Sequence, residues 1–162
     1  MTATTTQTNP NWLQRLQRRY SDAPKRVAYG YPKGTEAETV SYPDGTRVID
    51  VAIWNEFGTE RDGEQHIPPR PFLASTVDDV NKQCQPILDQ SVVVLNEGNT
   101  ERYDQLLDTA GSLAAGILKQ RIIDLREPPN APRTIKKKGS SNPLYDTGLL
   151  AQSATYKILD KE

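Results

Sequence analysis

The sequence predicts an α+β domain in which two or three helices pack on one face of a small antiparallel sheet. Three observations predict it. Val27, Tyr29 and Tyr31 alternate with small residues near the start, and Ala154 to Leu159 alternate again at the end, as strands do. Between them Tyr103, Leu106, Leu107, Ala110, Leu113, Ala114, Ile117, Leu118, Ile122 and Leu125 form an unbroken apolar stripe at helical spacing. The order helix, strands, long helices, strand separates the two kinds of element, as α+β folds do.

Residues 1–9 read as a flexible arm, Thr-rich and uncharged up to Thr8, with neither the basic nor the apolar region of a signal peptide. Residues 10–162 read as one domain. Asn9-Pro10 opens a helix over Pro10 to Ser21, with Trp12, Leu13, Leu16 and Tyr20 on one stripe and Arg15, Arg18 and Arg19 off it. Thr39 to Tyr42 and Thr46 to Val51 flank Pro43-Asp44-Gly45, a turn signal that predicts a hairpin. Asp50 to Phe57 reads as a strand end passing into a short helix stopped by Gly58.

Thr59 to Gln65 reads as an acidic loop, and the prolines of Ile67 to Phe72 hold the next segment extended. A helical pattern runs from Phe72 to Leu95, with Pro86 expected to kink or split it. Asn99-Thr100 starts the strongest helix, which Pro128-Pro129 ends. Gly111 and Gly116 lie near its stripe and suit close approach of another backbone. Asn130 to Asn142 reads as a basic loop. Pro143 to Ser153 reads as a turn and short helix, before a strand that returns to the sheet.

Composition narrows the function. Hydrophobic residues make up 35% of the 162, charged residues 25%, and prolines number 12, so the core is lean and loop bends are many. The formal net charge of -1 argues against a general nucleic-acid binder. Cys84 is the single cysteine, excluding an internal disulfide and a multi-cysteine metal site. No apolar run approaches the ~20 residues that span a bilayer, so the chain is expected to be made and to fold in a cytoplasm, away from membranes.

The candidate chemistry is thin, and no enzyme activity or cofactor is expected. His66 has no neighbouring nucleophile, and Cys84 has no histidine partner at a fixed offset. Asp78-Asp79 point apart on a helix, and Glu60, Asp62 and Glu64 lack the spacing of a calcium loop. Lys138-Gly139-Ser140 lacks the first glycine of a phosphate loop. Residues 126–139 carry Arg126, Arg133, Lys136, Lys137 and Lys138 against Glu127, a local +4 that could face an acidic surface or DNA.

Three elements together carry a resemblance. Val51-Ala52-Ile53-Trp54-Asn55-Glu56-Phe57-Gly58-Thr59 is followed by Ile67-Pro68-Pro69-Arg70-Pro71-Phe72-Leu73, and then by Pro143-Leu144-Tyr145-Asp146-Thr147-Gly148-Leu149-Leu150-Ala151-Gln152-Ser153. In order and separation these resemble the tail-completion and head–tail joining proteins of tailed bacteriophages, including the minor tail protein Z-like and virion-morphogenesis groups. The resemblance covers roughly residues 51–156. It implies a virion protein of the neck or head-proximal tail end, assembled in the host cytoplasm as a homo-oligomeric ring, a hexamer by expectation. Neighbouring neck and tail-tube proteins would be its partners. The alternatives are a DNA-contacting neck-channel module and an assembly factor absent from the virion.

Within these elements Phe57, Gly58, Pro71, Phe72, Asp146, Thr147, Gly148, Leu149 and Leu150 are expected to anchor the fold, with Asp146 or Thr147 capping a short helix. Arg70 offers five donors in a planar fork, with Glu56 as its expected partner. Subunit contacts are expected from Glu56, Arg70, the acidic group Glu60, Asp62 and Glu64, and the basic group Arg133, Lys136, Lys137 and Lys138. Opposite charges would meet across a heterologous interface.

Overall fold

The computed structural model describes residues 25–160. The expected arm and the expected helix at Pro10 to Ser21 lie outside the described residues. The α+β class is as expected. Strand β1 (Arg26–Gly30) pairs antiparallel with β4 (Thr155–Leu159), Val27 opposite Ile158 and Tyr29 opposite Tyr156. The last strand therefore returns to the first, as its alternation predicts.

The described residues also form helices α1 (Val48–Phe57), α2 (Val77–Asn96), α3 (Thr100–Asp124), α4 (Pro132–Lys138) and α5 (Leu149–Ser153) and a hairpin of β2 (Thr59–Arg61) and β3 (Glu64–Ile67), with α3 packed against both strands of the β1–β4 ribbon. α3 is the spine. Its apolar stripe meets three groups in turn: Tyr103 and Leu107 pack with Leu95, Ala110 and Ala114 pack with Val80 and Cys84, and Leu118 and Ile122 pack with Val48, Phe72 and Leu150. Asn99 caps it, its side chain accepting the Arg102 N–H at 3.0 Å.

Several expectations need correction. The hairpin around Pro43-Asp44-Gly45 reduces to a closed turn with one bridge, Ser41 to Arg47, because the chain turns helical at Val48. Val48 and Ala52, one helical turn apart, are both buried, and that tertiary gain overrides the β preference of the local Val-Ile run. α2 continues through Pro86, which sits with Lys82 on the exposed side, where water can serve the carbonyl left without its N–H partner.

The acidic stretch at 59–65 is not a loop but most of a hairpin. Asp62 and Gly63 at its tip both take positive φ, 54° and 79°, as a tight two-residue turn requires. The basic stretch also holds helix α4, opened by Pro132 in its first turn and closed by left-handed Gly139. Gly111 admits a side chain rather than a backbone: an added Cβ would lie 2.2 Å from the Tyr156 ring. A Cβ added at Gly116 would meet no other part of the fold within 4 Å.

Candidate interaction surface

α1 is apolar on more than one side, and only one side finds cover. Val48 and Ala52 are buried, while Ile53, Trp54 and Phe57 are 48%, 42% and 76% exposed. A helix apolar all round belongs in an interior. Beside it the start of α2 exposes Val77 at 45%. Together Tyr29, Ile53, Phe57, Phe72, Leu73 and Val77 line a groove of about 480 Å³ that opens to solvent. Phe57 is therefore not the fold anchor its motif suggests; its ring faces outward.

The motif residues around Phe57 fix the rim of this groove. Gly58 ends α1 at φ 76°, and a Cβ there would sit 2.8 Å from the Ile67 carbonyl oxygen, so the turn into the hairpin needs glycine. Glu56 accepts the Leu73 and Ala74 N–H groups, each at 2.9 Å, tying α1 to the turn that precedes α2. It is not the partner of Arg70.

Arg70 is only 3% exposed, so it is an internal strut rather than a group offered to another subunit. Its backbone N–H donates to the Asn55 carbonyl at 2.6 Å. From its side chain, Nε donates to Pro128 O at 2.8 Å, one terminal nitrogen to Asn55 Oδ1 at 3.0 Å, and the other to Pro129 O at 3.2 Å and Asn130 Oδ1 at 3.3 Å. Burial pulls its pKa below the usual guanidinium value. Neutral acceptors surround the charge, and their geometry clamps the end of α1 to the segment after α3. Phe72, 1% exposed, completes the anchor as expected, whereas Pro71 is exposed and contributes its carbonyl to the Ser75 N–H.

The late motif behaves in part as anticipated. Leu150 is buried, Leu149 half-buried, and Gly148 starts α5 at φ 80° under the Tyr145 ring. Thr147 Oγ1 accepts the Leu149 N–H at 3.3 Å, while Asp146 and Thr147 are both exposed. Tyr42, Trp54 and Leu144 form a second, more polar cleft with Asp146 and Asp44 at its edge. Burial, and then those two carboxylates, push the Tyr42 pKa up.

The charged groups stand apart. Glu60, Asp62 and Glu64 are exposed on the hairpin, and Arg133 and Lys136 are exposed on α4, whose range also includes Lys137 and Lys138. Among the described residues the ion pairs are Lys25–Asp104, Arg47–Asp50, Arg61–Asp62 and Arg121–Asp79, and none joins hairpin to α4. Glu60, Asp62, Glu64, Arg133 and Lys136 thus lie at the surface.

His66 is exposed on β3. Cys84 is buried with Sγ 3.4 Å from the Ala110 carbonyl, and burial raises its pKa, which disfavours the nucleophilic thiolate. Among the described residues no group of three or more His, Cys, Asp and Glu side chains gathers to hold a metal, and no helix is long and apolar enough to cross a membrane.

Fold and surface together define a small α+β unit with an uncovered apolar groove flanked by an acidic hairpin. No family model, curated protein or solved structure matches the chain.

Proposed function

We propose that this chain is a structural subunit of a tailed-phage virion, located at the head–tail junction or the head-proximal tail end, where it assembles as a ring that joins tail to head. The observation that carries the reading is the outward face of α1, with Phe57 76% exposed beside Ile53 and Trp54. Contiguous exposed apolar surface of this kind marks a protein–protein contact. The motifs that bear the phage resemblance are the same residues that shape this face: Glu56 and Gly58 set its end, and Arg70 and Phe72 hold it from beneath. A ring needs two different patches on each subunit. The acidic hairpin and the basic α4 supply two surfaces of opposite charge.

Quantitative mass spectrometry of purified particles of the encoding phage tests this, with copy number scaled to the portal protein. On the order of six or twelve copies supports a closed ring. Absence from the particle contradicts a virion role and favours an assembly factor.

A DNA-contacting module of the neck channel is the second reading, favoured by exposed Arg133 and Lys136 on α4. Neutralising Arg133, Lys136, Lys137 and Lys138 should then flatten the salt dependence of DNA retention. An unchanged slope removes DNA as a partner of this segment.

A further inference from the structure

We infer that the apolar groove between α1 and the start of α2 is filled by the segment Pro10 to Ser21 of a second copy of this chain. The groove presents Ile53, Phe57 and Val77 to solvent beside half-buried Leu73, and an acidic hairpin stands at its Phe57 end. Pro10 to Ser21 has the complementary pattern. Trp12, Leu13, Leu16 and Tyr20 share one face at helical spacing, and the segment carries Arg15, Arg18 and Arg19 with no acidic residue, a charge of +3. The hairpin stretch 59–67 carries Glu60, Asp62 and Glu64 against Arg61, a charge of -2. An amphipathic helix laid into an apolar groove is a common recognition mode, and charge at the rim sets its direction.

A second copy is the donor because the exposed face of α1 is read as the contact of a self-assembling subunit, so the same groove recurs on every copy. Each copy then offers a basic segment and an acidic-rimmed groove, two different patches of the kind a heterologous contact requires.

The inference rests on the reading of the chain as a self-assembling subunit. The test is disulfide trapping in a full-length Cys84→Ser chain carrying Ile53→Cys with either Leu13→Cys or Leu16→Cys, oxidised and run under non-reducing denaturing conditions. Exchange between copies predicts covalent dimers and higher multiples from at least one pair, reversed by thiol. A disulfide formed only at monomer mass places the segment in its own groove and overturns the proposal. Assembly without any disulfide contradicts the arm while leaving self-assembly intact; a chain monomeric throughout contradicts both.

Discussion

Arg70 Nε donates to the Pro128 carbonyl at 2.8 Å across 58 positions of sequence, and this bond joins the segment between β3 and α2 to the turn that follows α3. The same guanidinium reaches Asn55, Pro129 and Asn130, so one side chain closes the frame beneath the exposed face of α1. Arg70→Met should destabilise the fold by ~3–5 kcal/mol, because it strands several acceptors around a buried site. Arg70→Lys should recover little of this, since an ammonium cannot span the fork. Denaturant unfolding of both variants checks the estimate.

Glu56 should behave as a cap rather than an ion-pair partner. Glu56→Ala leaves the Leu73 and Ala74 N–H groups without their acceptor, for an expected loss of ~1–2 kcal/mol. Glu56→Gln keeps one acceptor oxygen and should lose less. Equal losses from the two substitutions would contradict this role.

Gly111→Ala should destabilise despite the higher helix propensity of alanine. The added methyl meets the Tyr156 ring, whose hydroxyl is tied to Asp108, so the ring cannot swing clear without breaking that bond. Overpacking of this kind costs ~1–3 kcal/mol. Gly116→Ala, at an open position, should stabilise by about 0.5–1 kcal/mol, and the pair of thermal melts separates packing from propensity.

Stability should fall at alkaline pH. Burial pushes the Tyr31 pKa up, its hydroxyl donating to the Leu150 carbonyl at 2.8 Å, and the hydrogen bond to Asp108 pushes the Tyr156 pKa up. In the unfolded chain both phenols ionise near pH 10. Above that value the folded state holds protons the unfolded state has released. The contribution is thus complete below pH 10 and is lost as pH rises toward the folded values. Tyr31→Phe should weaken that decline while costing ~1 kcal/mol at neutral pH. Unfolding followed from pH 8 to pH 11.5 reads both effects.

Much of this architecture is legible in the sequence, and the misses have identifiable causes. The stripe from Tyr103 to Ile122 gives α3 directly, and the alternations around Tyr29 and Tyr156 give the β1–β4 ribbon. The hairpin at 59–67 is missed because it buries almost nothing, although Asp62-Gly63 is itself a two-residue hairpin signal. α4 is masked by its lysines, yet Pro132 and Gly139 mark its two ends. No local pattern reveals that Arg70 is buried, since its acceptors come from residues 55 and 128–130. Phe57 reads as core because periodicity shows that a residue is apolar without showing what covers it.

The outward face of α1 is the centre of the account, and native mass spectrometry of the full-length protein beside Phe57→Asp tests it most directly. The account predicts a closed oligomer for the parent chain and a folded monomer for the variant, with unfolding free energy per chain within about 0.5 kcal/mol of an unassembled parent. A parent chain that stays monomeric at micromolar concentration, or a variant that assembles as the parent does, would contradict it.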